Sequence, residues 1–203
     1  MNDTPAIAVL ELSNLPQGTC TADAMTKRAQ LAHLRAGSVQ PGKYVILVGG
    51  EVGAVQESYV EGLRVGGDAL SDHILLPDAH EQVAEAVQGA RRQPVGEALG
   101  IFESMAIPAT VAAADRAVKA AAVEIIEIRL GDGLGGKAVT YLSGRVHDVQ
   151  AALAAALESF ERSGHSAAHC VIPSAHADIV SRVAATTMFH VKGAGGPVEV
   201  GGF

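Results

Sequence analysis

Few side chains in this chain are spaced for chemistry. His165 and His169 stand four apart, with Cys170 beside the second. On a helix that spacing would turn two imidazoles toward one metal ion. The segment runs on into Val171-Ile172-Pro173 and reads as a strand, where positions four apart lie about 13 Å from each other. No metal site is expected there. Cys20 and Cys170 are far apart and no CxxC is present, so neither a disulfide framework nor a zinc knuckle is expected, and a reducing cytoplasm fits. Gly131-Asp132-Gly133-Leu134-Gly135-Gly136 is the nearest thing to a phosphate cradle. It falls between two strands rather than before a helix, so no helix dipole backs it. There is no nucleophile elbow and no P-loop. His80 and His176 each follow a Pro by three residues, and neither has a catalytic partner in the sequence.

Composition narrows the classes further. Of 203 residues, 48% are apolar but only 3% aromatic, with no Trp. The core must be packed from Ala, Val, Ile and Leu, with few large anchors, and such a small domain gains from burying surface in an oligomer. A net charge of −7 and the lack of a Lys/Arg run argue against nucleic-acid binding. No apolar run reaches about 18 residues, and Met1–Pro5 has no basic character; neither a signal peptide nor a membrane span is expected.

The elements that position these residues come in two copies. Ala6-Ile7-Ala8-Val9-Leu10-Glu11 matches Ala98-Leu99-Gly100-Ile101-Phe102-Glu103 at an offset of 92. Ala22-Asp23-Ala24-Met25-Thr26-Lys27 matches Ala114-Asp115-Arg116-Ala117-Val118-Lys119 at the same offset. Pro41-Gly42-Lys43 matches Gly135-Gly136-Lys137, and Gly50-Glu51-Val52 matches Gly144-Arg145-Val146, both at 94. Pro77-Asp78-Ala79-His80 matches Pro173-Ser174-Ala175-His176 at 96. Self-similarity of this kind marks a tandem repeat. The predicted domains are 1–90 and 96–190, with a Gly-rich flexible tail over 191–203 and a polar linker near Gln88–Gly96.

Within a copy, Ile7–Leu12 reads as a buried strand. A helix capped by Thr19 or Thr21 runs through Arg28. Leu31–Val39 and Tyr44–Val48 form a hairpin around Gln40-Pro41-Gly42. A helix follows over Val52–Leu63, then a strand over Ile74–Leu76 and a short helix over His80–Val87. The predicted fold class is α/β, two tandem unpermuted βαββαβα domains of ferredoxin-like character.

These motifs together resemble the bacterial microcompartment shell domain. They are the strand ending in Glu, the Ala-Asp-x-x-x-Lys helix, the Gly-containing hairpin, the Gly-x-Val helix start and the closing Pro-x-x-His, present twice over roughly residues 6–185. The order resembles the tandem-domain, trimer-forming branch of the propanediol-utilisation type. The resemblance implies a structural protein and not an enzyme: a homotrimeric, pseudohexameric tile in a compartment shell within the cytoplasm. It would sit beside hexameric and pentameric shell proteins and pass small metabolites through a central pore. It implies that Ser38, Val39, Gln40, Pro41 and Gly42 line the pore from the first copy, and Asp132, Gly133, Leu134, Gly135 and Gly136 from the second. By residue type alone, Pro-Gly and Gly-Gly simply close hairpins. Lys27, Lys119, His80 and His176 are implied as tile-edge contacts; by type alone the lysines are solvated helix residues.

Two departures qualify the resemblance. Some members of the branch hold an iron–sulfur cluster on the three-fold axis through a Cys just before the loop's Pro-Gly. Here that residue is Gln40, a poor ligand for such a cluster, so no cofactor is expected. The alternative, a redox or metal-binding pore protein of the same shell, loses its thiolate. Many single-domain members also carry Arg after the closing Pro, where this chain has Asp78 and Ser174, so self-tiling is expected to be weaker.

Overall fold

The structure is a computed structural model describing residues 6–188; the expected tail, from 191 onward, lies outside the described residues. The elements run β1 (Ala6–Leu12), α1 (Leu15–Arg28), β2 (His33–Val39), β3 (Lys43–Gly50), α2 (Val52–Gly66), β4 (Leu70–Leu76) and α3 (Glu81–Ala86). The second half repeats them as β5 (Ala98–Ser104), α4 (Ile107–Ala120), β6 (Glu124–Leu130), β7 (Ala138–Gly144), α5 (Val146–Ser163), β8 (Ala168–Ile172) and α6 (Ala177–Ala185). Each half is an antiparallel four-stranded sheet, ordered β2-β3-β1-β4 and β6-β7-β5-β8. The βαββαβα order read from the sequence is the observed one.

Alternation along the strands sorts the core into two sides. Ala8, Leu10 and Leu12 of β1, with Ile46 and Val48 of β3, pack with Met25 of α1 and Val55 of α2. Ile7, Val9, Val45 and Leu47 lie in a second cluster that is continuous with α3 and with the core of the other half. The first sheet is thus buried on both faces at its centre, which is why β1 reads as an unbroken apolar run. Gly62 lets α2 approach closely: a Cβ there would stand 2.7 Å from Leu10 and from Met25 Sδ. In the second half Phe102 and Phe160 meet edge to face at 6.0 Å and supply the large anchors that composition makes scarce.

Several boundaries differ from the sequence reading. Helix α1 begins at Leu15, not near Thr19 or Thr21. Asn14 Oδ1 accepts from the Gln17 amide at 3.0 Å and Pro16 sits in the first turn, the arrangement that satisfies free amides at a helix start. The Thr19 and Thr21 hydroxyls instead donate to the carbonyls of Leu15 (2.9 Å) and Gln17 (2.8 Å) inside the helix, the usual mid-helix alternative to capping. Strand β4 starts at Leu70, four residues before the expected Ile74, because Asp72 and His73 pair with Glu11 and Leu10 of β1 although their polarity hides the strand. The expected linker is held: the Arg92 amide donates to Ile126 O at 3.1 Å, and its guanidinium spans Glu85 (2.8 Å) and Glu124 (3.0 Å).

Candidate functional site

The two hairpin loops meet. In the first, Ser38 and Val39 are the end of β2, and the turn is Gln40-Pro41-Gly42, closed by the Gly42 amide on Val39 O at 3.0 Å. In the second, the Gly131 amide donates to Lys137 O at 2.9 Å, and Arg129 Nη2 steadies the bend through Asp132 O at 3.1 Å. Gly136 has a φ of 87°, in the region that favours glycine, and any Cβ there would overlap the Gln40 carbonyl. A Cβ on Gly131 would come within 2.8 Å of Val39. The loops therefore interlock backbone to backbone. Ser38, Val39, Gln40, Pro41, Gly42, Asp132 and Gly133 line one open cavity of ≈ 670 Å³, with Leu15 and Met188 at its margin. Leu134, Gly135 and Gly136, expected with them, are not among its lining; Gly136 is buried beneath Gln40.

The polar groups lining the cavity are an amide, a hydroxyl, a carboxylate and backbone, beside the apolar side chains of Leu15, Val39, Pro41 and Met188. An iron–sulfur cluster needs thiolates. Neither loop carries one: Cys20 lies in α1 and Cys170 in β8, both exposed. The loop residues do not fit the cluster. His165 and His169 do not pair either. His165 precedes β8, with Nε2 3.5 Å from Asp72 Oδ2 of the first half, and His169 sits within the strand.

A second assembly of polar groups, not foreseen from the sequence, joins the halves. Glu11 is 2% exposed; its Oε2 accepts from the Ile107 amide at 2.8 Å and its Oε1 pairs with Lys43 at 2.6 Å. Lys43 also donates to Met105 O at 2.7 Å. Asp72 accepts from the Ala109 amide at 3.0 Å. Asp115 accepts from the His80 amide at 2.8 Å and pairs with Lys119 at 2.8 Å, and Lys119 donates to Asp78 O. Lys119 is thereby placed at the junction of the two halves, its ammonium already given to a carbonyl of the same chain. His80 and His176 are N-caps of α3 and α6, their Nδ1 atoms accepting from Gln82 and Asp178 amides at 3.3 Å. Lys27 is exposed and pairs with Asp23 at 2.6 Å. The repeat did mark Glu11, Lys43, Asp115 and Lys119 as matched positions; the bonds they make to backbone groups of the opposite half left no trace in the sequence.

The partners of these junction residues in the other copy are uncovered. Ile107 is 0% exposed and its counterpart Leu15 41%; Val83 is 0% exposed and its counterpart Ile179 49%. Glu103, counterpart of Glu11, has a third of its side chain exposed and holds only Lys137, at 2.7 Å. Asp23 and Lys27, counterparts of Asp115 and Lys119, face solvent. One end of the chain thus repeats the donor side of the junction and the other end its acceptor side, both open.

Comparison with known proteins agrees with this duplicated architecture. The BMC domain family matches residues 6–79 and again 98–175. The chain is 37% identical over 171 residues to the bacterial microcompartment shell protein PduT of Citrobacter freundii, covering 84% of this chain and 93% of that one. It is 26% identical to the carboxysome assembly protein CcmO of a Synechocystis species, over 83% of this chain and 61% of that one. A crystal structure of a microcompartment protein from Desulfitobacterium hafniense superposes with a TM-score of 0.79 at 36% identity, covering 88% of this chain and 99% of that one. The fused permuted hexameric shell protein of the RMM microcompartment superposes with a TM-score of 0.57 at 22% identity, over 78% and 82% of the two chains, a likeness of fold.

Proposed function

The chain belongs to the BMC-domain family of bacterial microcompartment shell proteins, and from that premise we propose that three copies close into a pseudohexagonal tile with a central metabolite pore. The observation that carries the trimer is the pair of open half-junctions. The surface around Glu103, Lys137, β8 and α6 of one copy is equivalent in position to the first-half surface that receives α4 within the chain, with the Glu and Lys kept and Asp72 and Asp78 replaced by Ala168 and Ser174. Helix α1 of the next copy is the element that fits it. Such a head-to-tail contact uses different patches on the two partners and closes as a ring when the rotation permits. Burial of Leu15 and Ile179 supplies apolar area, at about 25 cal/mol per Å² removed from water.

The pore reading rests on the interlocked loops. In a ring, the cavity bounded by Gln40 and Asp132 faces the axis, and three amides and three carboxylates then alternate around it. Backbone and polar side chains at a constriction select small solutes by size and hydrogen bonding, and the carboxylates favour neutral or cationic ones over anions. The protein acts as a wall component and not as a catalyst, in the shell of a compartment within the cytoplasm, beside hexameric and pentameric shell proteins. Among the tile-edge residues, Lys27 takes at the junction between copies the place that Lys119 holds inside the chain, donating to Ser174 O of the next copy.

Light scattering coupled to size exclusion tests the assembly: a mass of three chains is expected, and Leu15→Asp with Ile179→Asp is expected to return a folded monomer. A wild-type monomer at all accessible concentrations would overturn the trimer. For the pore, Gln40→Cys in a background with Cys20 and Cys170 changed to Ser is expected to give inter-subunit disulfides across the axis. A trimer in which those thiols never crosslink would place the loop elsewhere.

A further inference from the structure

Carrying the internal junction onto the open one brings the two cysteines of the chain together in a way no single copy shows. Helices α1 and α4 are the same length and in register, so Cys20 is the counterpart of Ala112. In the sheets, Val9 pairs with Ile74 and its repeat partner Ile101 with Cys170, so Cys170 is the counterpart of Ile74. Inside the chain, β4 packs along α4. The two run in the same direction, fixed at the start by Asp72 on the Ala109 amide and at the end by Asp78 O and the His80 amide on Lys119 and Asp115. From the Asp72–Ala109 bond, two strand residues advance about 6.6 Å to Ile74 and three helix residues about 4.5 Å to Ala112. The two positions thus lie at nearly one level. Ile74 lies on the face of β4 shared with Asp72 and packs against the core cluster to which α4 contributes Ile107 and Val111. Ala112 lies three residues before Asp115 and seven before Lys119, on the flank of α4 that carries those junction contacts, and is itself half-buried.

On the trimer reading proposed above, on which this step rests, we infer that Cys170 of one copy faces Cys20 of the next, giving three thiol pairs per ring that close to inter-subunit disulfides. Both thiols are exposed in the single chain, so assembly and not folding brings them together. A disulfide needs Cα atoms within about 7 Å, and inside the chain α4 and β4 already bring Cα atoms within 8 Å of each other. The reaction is thiol–disulfide exchange with a small-molecule disulfide. One cysteine thiolate attacks the oxidant's S–S bond and releases one thiol. The second thiolate then attacks the mixed disulfide, forms the protein S–S bond and releases the other. Two electrons and two protons pass to the oxidant, which leaves as two thiols. In a reducing compartment the pairs stay open and the tile is held by its non-covalent junctions. Under an oxidising poise each junction becomes covalent, and the trimer no longer dissociates on dilution.

The test is denaturing, non-reducing electrophoresis of the full chain after oxidised glutathione at mildly alkaline pH, with mass by light scattering in parallel. Because the pairing is head to tail, the wild type is expected to give bands of two and three chains and none above, and either Cys20→Ser or Cys170→Ser alone is expected to abolish every crosslinked band while leaving the trimer intact. Dimers surviving in one single variant would show like-with-like pairing and overturn the inference. A trimer that yields no crosslinked band would overturn it and leave the assembly standing. A protein that never exceeds the mass of one chain would overturn both.

Discussion

Glu11 and Glu103 are the same residue of the repeat in two settings, and substituting each separates the strength of the internal junction from that of the external one. Glu11→Ala leaves the buried Ile107 amide without an acceptor, a cost of about 1–3 kcal/mol, and leaves Lys43 without its counter-charge. Breaking one partner of a buried pair costs about 3–5 kcal/mol in all. Lys43 keeps its bond to Met105 O and has a fifth of its side chain in solvent, so the low end, about 3 kcal/mol, is expected. For a chain of this size that corresponds to a drop in melting temperature of about 6–12 °C. Glu103→Ala removes an exposed pair with Lys137, worth about 0–1 kcal/mol within a single chain. In the proposed ring, however, Glu103 would receive the Leu15 amide of the next copy and Lys137 would donate to its Ser13 carbonyl. The same cost of about 3 kcal/mol then appears at every junction, and each is weakened roughly 100-fold. Urea melts at low protein concentration, paired with light scattering across a dilution series, read the two effects apart. Glu11→Ala should shift the melt, and Glu103→Ala should shift the dissociation. A Glu103→Ala protein that stays trimeric at the wild-type dilution limit would refute the transfer of the internal contact to the external one.

Gly136→Ala forces a side chain into the Gln40 carbonyl at a positive φ; a loss of about 1–3 kcal/mol is expected, and a smaller one for Gly135→Ser, about 1–2 kcal/mol from its own positive φ, because nothing lies near the new side chain, as chemical denaturation will show. The amides of Gly53 and then Ala54 hold the Glu51 carboxyl below its ordinary value. Its contribution to α2 is therefore present above the ordinary carboxylate pKa and lost as pH falls through the lowered one; Glu51→Gln should flatten the acid limb of melting temperature against pH, and an unchanged limb would dismiss the cap. Asp72→Ala frees the Ala109 amide and should cost about 1–2 kcal/mol, of which Ala106→Asn, by giving α4 a cap of its own, should restore a measurable part in the double variant.

The legible part of this molecule was whatever repeated. Strand β1, the Gly-Lys that leaves the hairpin turn and the α2 start at Val52 recur with the same residue types in the second half, so the element order and the two-domain plan stood out. The interior of α1 was misread because threonines that cap helices elsewhere here turn their hydroxyls to carbonyls one turn back, a choice set by Asn14 and Pro16 upstream. Strand β4 was cut short because an edge strand carrying Asp72 and His73 shows no apolar alternation. The bulge that adds Ile126 to β6 shows only in the strand pairing. The junction was not legible at all: a Glu at the end of a strand and a Gly-Lys after a turn carry no sign of which half their partners occupy. Only the three-dimensional pairing, and the contrast in burial between Ile107 and Leu15, exposes it.

That contrast extends to how each helix is capped, and it sets an order of dependence between the halves. Helix α1 is self-sufficient, since Asn14 supplies an acceptor to the Gln17 amide. Its counterpart in the second half is Ala106, which makes no side-chain cap. The amides that Ala106 leaves open are taken from the other half: Ile107 by Glu11 and Ala109 by Asp72. Free amides at a buried helix start must find partners, so α4 is completed only when the first half is in place, whereas α1 is complete before any neighbour arrives. The position matching Asp72 in the second half is Ala168, which offers no carboxylate, and none is needed, because the amide it would serve already has Asn14. The internal junction therefore carries two trans caps, and the proposed external one would carry only that of Glu103. The proposed ring would therefore separate between copies before it separates within them, and the unit expected on dilution is the intact two-domain chain.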